Sequence, residues 1–140
     1  MDIDCPFCNI NPEKTKILKE GDYTRVIFSN PRLMPSHLLV IPKRHVEKLS
    51  ELNEAEKQEL LNTVIKFQEK ILDKIASGCD IRINYRPFQK QDDLKVNRLH
   101  VHLQPRELFD ELYEKSQRFE KEVFKELSSD EAEKIKALLD

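Results

Sequence analysis

The stretch Leu99-His100-Val101-His102-Leu103-Gln104 leaves its backbone little choice. Apolar and polar residues alternate without a break, and side chains on a strand point to opposite faces at each step. As a strand it turns Leu99, Val101 and Leu103 into a core. His100, His102 and Gln104 then face the other way, successive groups about 6.5–7 Å apart. Two of the chain's four histidines fall at i and i+2, which points to a strand looking into a cleft rather than a solvated face holding imidazoles by accident.

Around this strand the pattern predicts four more, at about Thr15–Lys19, Tyr23–Ser29, His37–Pro42 and Ile81–Tyr85, the histidine strand itself being Leu99–Gln104. One long helix is expected between the third and fourth. Asn53 caps it with Glu56 three residues on, and Gly78 closes it. Its buried stripe is Leu60, Leu61, Val64, Phe67, Ile71, Leu72 and Ile75. A second helical pattern carries Leu108, Leu112, Phe119, Val123 and Phe124, and Ser128 with Glu131 opens a last short helix. This order of elements predicts an α+β domain over residues 1–140, an antiparallel sheet backed by helices. Residues 1–14 would form a metal knuckle and 107–140 a helical C-terminal extension. Arg86–Lys95 reads as a polar loop leading into the histidine strand, a place where loops carry function.

Composition excludes several classes. With 140 residues there is material for one core and not two. The charged fraction is 36% but the net charge only −2, so no basic surplus exists for sequence-specific or general nucleic-acid binding. Two glycines in the whole chain rule against a Gly-rich phosphate loop of the Walker or Rossmann kind. No stretch approaches the roughly 20 apolar residues of a membrane span. Met1-Asp2-Ile3-Asp4 is acidic and has no apolar signal region, so a cytoplasmic protein is expected.

Three cysteines, an odd number, argue against a disulfide framework. Cys5-Pro6-Phe7-Cys8 is a C-x2-C knuckle, a spacing at which two thiolates bite one tetrahedral metal. A redox pair and two free thiols are the alternatives. A redox pair belongs in a βαβ unit, whereas this one opens the chain with Pro12 close behind. Zinc needs two further ligands, for which His45 and His100 are the suppliers. Four protein ligands would leave no open position, so the zinc would be structural.

Three segments in this order, the Cys5–Cys8 knuckle, Pro35-Ser-His-Leu-Leu-Val-Ile-Pro-Lys-Arg-His45 and His100-Val-His-Leu-Gln-Pro-Arg106, resemble the histidine-triad (HIT) proteins over nearly the whole chain. The resemblance implies a five-stranded antiparallel sheet with helices, a homodimer, and action on nucleoside monophosphate esters. It implies that Cys5, Cys8, His45 and His100 hold zinc and that His102 is the nucleophile toward an α-phosphate. His37 would border the phosphate, and Asn30 is the candidate for the ribose. Asn97 stands in the place of the family's phosphate-binding Ser/Thr and Asn84 in that of its asparagine. The Gly-Gln-Ser/Thr run before the histidine strand is absent.

Chemistry gives these assignments content. Imidazole is largely neutral at pH 7, so a histidine can offer a lone pair unaided. Attack on phosphorus would give a phosphohistidine nucleotidyl intermediate and divide one displacement into two. Gln104 stands where the resemblance expects a third histidine, and an amide cannot deliver a proton near pH 7. That argues for dinucleoside polyphosphates, or transfer to phosphate, over phosphoramidates, whose leaving amine needs a proton. A nucleotide hydrolase or nucleotidyl transferase is therefore expected. A nucleotide-binding regulator with little or no turnover and a zinc-stapled structural module are the competing readings.

Overall fold

The computed structural model describes residues 5–92 and 95–140. The Met1–Asp4 stretch, and positions 93–94 within the loop Arg86–Lys95, lie outside the described residues. The chain divides into two compact units, Met1–Leu108 and Phe109–Asp140. No helix among the described residues is long and apolar enough to cross a membrane.

The first unit is a five-stranded sheet with one long helix, α1 (Glu54–Lys74). Its strands are β1 (Ile17–Glu20), β2 (Thr24–Phe28), β3 (Leu38–Pro42), β4 (Gly78–Ile83) and β5 (Val101–Arg106), ordered β1-β2-β3-β5-β4 and antiparallel throughout. β3 is central and apolar along its whole length, and every one of its five residues is buried. Its alternation divides the core in two. Leu38 and Val40 join Val26, Leu99, Val101 and Leu103 beneath Leu60, Val64, Phe67 and Ile71 of α1. Leu39 and Ile41 turn to the opposite face, where Ile27 and the knuckle residues Cys5 and Phe7 cover them. The N-terminal knuckle thus seals the sheet face that α1 leaves open.

The helix starts where the sequence places it. Asn53 accepts from the Glu56 backbone N–H at 2.9 Å while Glu56 accepts from that of Asn53 at 2.9 Å, satisfying two end donors reciprocally. Glu56 is itself buried and receives two hydrogen bonds from Arg44 just past β3. Glu59, one turn on, takes the backbone N–H groups of Asp22 and Tyr23 and the Thr24 hydroxyl, fixing the β1–β2 turn to the helix. A Cβ on Gly21 would lie 3.0 Å from the Glu59 carboxylate, so a larger residue there would push on a side chain that these hydrogen bonds hold.

Three expectations are corrected. Gly78 does not close α1: the helix ends at Lys74 with Ile75 bonding back to Ile71, and Gly78 opens β4 opposite Arg106. Leu61, Leu72 and Ile75 are exposed, so the buried stripe is narrower than the apolar one. The pattern from Leu108 to Phe124 is not one helix. Phe109 adopts a left-handed backbone (φ 57°), Asp110 caps a short α2 (Glu111–Lys115), and Ser116 breaks the run before a 3-10 turn at Gln117–Glu122. In this second unit α3 (Ser129–Leu139) opens, as expected, with the Ser128 side chain accepting from the Glu131 backbone.

Ile71 is 1% exposed at the centre of the helix–sheet core. Ile71→Ala should therefore lower unfolding stability by about 2–5 kcal/mol, the range for truncating a packed aliphatic side chain. Leu72→Ala, one residue along on the exposed side, should cost far less. Urea titrations of the two variants compare them directly.

Candidate functional site

The three imidazoles His37, His100 and His102 meet on the sheet face opposite α1. β5 carries His102, and His100 sits just ahead of it in the same phase. β3 pairs Leu39 with His102, while β4 sets Arg82 beside His102 from the other side. The His100 and His102 rings lie edge-on at 4.8 Å, His37 and His102 at 5.1 Å, and Phe7 of the knuckle meets His100 edge-on at 5.5 Å. His37 arrives from a tight turn in which Ser36 takes a left-handed φ of 65°, a conformation that a non-glycine residue adopts only at some cost.

The hydrogen bonds assign each ring its tautomer. The Leu33 backbone N–H donates to His37 Nδ1 at 3.1 Å, so that nitrogen bears no proton. In the neutral ring the proton then sits on Nε2, which lies 2.9 Å from His102 Nδ1 and donates to it. His102 in turn carries its proton on Nε2, as a free donor. His100 is oriented oppositely. Its Nδ1 lies 2.7 Å from the Arg98 carbonyl oxygen, which can only accept. His100 Nδ1 is therefore protonated and Nε2 presents its lone pair.

Burial keeps all three rings neutral. It is the leading cause that takes His37 from the ordinary 6.5 to about 4, aided by charge on His100 and Arg82. Burial takes His102 to about 3, with His100, His37 and Arg82 adding to it. His100 is lowered mainly by burial as well, with the Arg98 carbonyl acting in the opposite sense. A lone pair on His100 and a hydrogen-bond donor on His102 thus stand side by side in neutral rings.

Two clefts flank this face. One, of about 280 Å³, brings His37 together with Asn30, Ser29, Phe28 and the basic side chains of Lys14, Lys16 and Arg32. Asn30 is anchored there by donating to the Lys14 carbonyl at 2.9 Å. The other, of about 120 Å³, brings Asn84 and Asn97 together with Tyr85, Arg86 and Lys95. Asn97 is held by Lys95 at 2.8 Å and by its own N–H to Gln91 at 3.2 Å. Gln104 reaches neither: it is 2% exposed, and its side-chain oxygen is buried without a hydrogen-bond partner.

Three of the four expected metal ligands converge. Cys5, Cys8 and His45 offer ligand atoms within 4.8 Å of one another, with Cys8 Sγ 3.0 Å from His45 Nδ1. Two thiols and an imidazole are a zinc-type donor set. His100, the fourth expected ligand, is not among the residues whose ligand atoms lie together, although its Nε2 keeps a lone pair. The group standing beside the sulfurs is the Arg98 guanidinium, with Nη1 2.9 Å from Cys8 Sγ and 3.9 Å from Cys5 Sγ. The donors present therefore fit three corners of a zinc tetrahedron, and no ligand among the described residues supplies the fourth. Arg98 and Arg82 are the site residues that sequence reasoning underrated. Extending the Leu99–Gln104 alternation back one step puts Arg98 on the histidine face; Arg82 depends on the pairing of β4 with β5, which no local signal reveals.

The HIT domain family matches residues 11–109 of the chain. No curated protein matches it in sequence. Among solved structures, a HIT family protein from Bacillus anthracis superposes with a TM-score of 0.71 at 20% identity, covering 99% of this chain and 96% of that one. A zinc-bound histidine triad family protein from Mycobacterium smegmatis gives 0.64 at 24% identity, covering 78% and 79%. A HIT family hydrolase from Clostridium thermocellum gives 0.59 at 24% identity, covering 79% and 96%. At these identities the likeness speaks for the fold. With the family matching well over half of the residues, the chain belongs to the HIT family.

Proposed function

We propose that the chain is a nucleotidyl hydrolase or transferase in which His100, and not His102, attacks the α-phosphate of a nucleotide ester or anhydride. The observation that carries this reading is the opposed tautomers: a lone pair on His100 Nε2 beside a proton on His102 Nε2. The His100 lone pair forms a P–N bond as the bond to the leaving group breaks; the leaving group departs as an anion that solvent protonates, and His102 Nε2–H hydrogen-bonds it without transferring its proton. Water or another acceptor then displaces the nucleotide from His100, whose lone pair returns to Nε2 as the acceptor's proton passes to solvent. The Arg98 carbonyl supports the charge that His100 gains on attack by holding its Nδ1–H. The Asn30 and His37 cleft is the proposed seat of the nucleoside, and Asn84 and Asn97 are proposed to face phosphate oxygens.

This reading keeps the substrate expectation. With His102 neutral and Gln104 buried, neither gives up a proton near pH 7, so phosphate anhydrides such as dinucleoside polyphosphates are favoured over phosphoramidates, whose leaving amine needs one. His100→Ala should abolish turnover of every nucleotide substrate while nucleotide binding persists. His102→Gln keeps a hydrogen-bond donor at that place, so it should slow dinucleoside polyphosphates by no more than about 10-fold and leave their preference over phosphoramidates intact. Rates across leaving groups for wild type and both variants decide it. Wild-type rates in His100→Ala would remove the assignment. No turnover by wild type with binding intact would favour the nucleotide-binding regulator.

A homodimer is part of the proposal. Leu61, Ile65, Leu72 and Ile75 form an exposed apolar stripe on α1. Gln68, on the same stripe, lies 3.4 Å from the Cys79 carbonyl of β4, so the stripe runs beside the open edge of the sheet. Among the described residues β4 is the edge strand of the sheet, and its Ile81 and Ile83 are exposed. An apolar helix face beside a bare strand edge is suited to self-association. Ile65→Asp should convert a dimer to a monomer in sedimentation. A wild-type monomer at tens of micromolar would overturn it.

The buried neutral imidazoles also set a pH dependence. Their folded pKa values lie below the unfolded value near 6.5. The stability tied to them is thus present above pH 6.5 and drains away as pH falls toward 4 and 3. Glu56 and Glu59 are held below their ordinary 4.5 and stay ionised across the upper part of this window. Urea midpoints should therefore fall between pH 7 and pH 5, and by less in His102→Gln.

A further inference from the structure

We propose that Arg98 closes the Cys5–Cys8–His45 cluster in place of a fourth zinc ligand, so that this chain staples its N-terminal knuckle with a guanidinium rather than with a four-coordinate metal. The side chain is 3% exposed. Its Nη2 donates to the carbonyls of Pro42, Lys43 and Arg44, the last two at 3.0 and 3.2 Å. Its Nη1 donates to Cys8 Sγ at 2.9 Å. These bonds run from the knuckle to the backbone that delivers His45, the two segments that a zinc ion would otherwise tie together.

Arginine cannot serve as a ligand itself. Its guanidinium has five donors, no lone pair to give and a permanent charge. Zinc would bind the two sulfurs as thiolates, and the guanidinium already packed against Cys8 Sγ stands beside the cluster where a further ligand would have to approach. Among the described residues no fourth ligand atom lies with these three. The guanidinium compensates by hydrogen-bonding sulfur and carbonyl oxygens together, with a fork geometry that a point charge does not match. In this chain the knuckle therefore holds its place without metal, and zinc enters only by displacing Arg98.

The test measures zinc and stability, and leaves the proposed nucleotide chemistry aside. Full-length wild type, Arg98→His and Arg98→Gln are titrated with zinc against a chromophoric chelator, and their melting temperatures are recorded with and without EDTA. Cobalt is used to report thiolate ligation through its charge-transfer absorption. Arg98→His places an imidazole where a fourth ligand is wanted. It should bind zinc at least about 100-fold more tightly than wild type, since a ligand is worth more than the 10–100-fold of a supporting partner. Its melting temperature should drop on chelation, whereas that of wild type should not move. Arg98→Gln keeps much of the bulk and drops the charge, so it should melt lower than wild type and bind zinc more tightly. Should Arg98→His fail to fold, wild type and Arg98→Gln decide the matter. A wild type holding one zinc per chain with the affinity of Arg98→His, and melting lower in EDTA, would overturn the proposal. So would equal zinc affinities of wild type and Arg98→Gln.

Discussion

Arg98 holds both parts of the sheet face that α1 leaves uncovered. Its backbone carbonyl takes the Nδ1–H of His100, and this bond decides which nitrogen of that ring is free. Its side chain fastens the knuckle to the end of β3. Phe7, carried by the same knuckle, lies against the His100 ring. The orientation of the imidazole and the closure of the N-terminus are therefore two consequences of one residue's placement.

Burial then turns a row of histidines into a set with distinct roles. In water three imidazoles so close together would titrate near neutral pH and exchange tautomers freely. Here the desolvation that lowers their pKa values removes the charged forms. The fixed partners at either end, the Leu33 N–H and the Arg98 carbonyl, then set the tautomers. One backbone group donates and the other accepts, so the relay runs in a single direction from His37 to His102 and opposes His100 to it.

Much of this was legible in the sequence where short-range rules govern. The β5 alternation, the Asn53–Glu56 box and the wholly apolar β3 each announce themselves within a few residues, and the strands appeared within a few positions of their expected bounds. The resemblance carried the topology and gathered His37, His100 and His102. Long-range relations were beyond local reading. Cys5, Cys8 and His45 come together across the fold, and the guanidinium packed against the sulfurs is that of Arg98, a neighbour set by three-dimensional packing. Gln104 was read as a site residue from its phase on β5, but phase fixes the face and not the depth. Gln104 lies buried on that face. The C-terminal pattern misled for a third reason: apolar spacing says nothing of a left-handed residue such as Phe109 that ends a run.

The choice of a guanidinium over a metal alters how the site depends on its surroundings. A zinc-closed knuckle is assembled only when metal is bound, since structural zinc contributes its binding energy to folding. An arginine-closed knuckle, as proposed, draws on a cation built into the chain, always charged and delivered by the segment that leads into β5. The position of Arg98, two residues before His100 and in the same phase, lets the same short segment supply both the staple and the carbonyl that fixes the imidazole. On the proposed reading, the orientation of the nucleophile is then set by the fold itself, and the cysteines serve as acceptors within it.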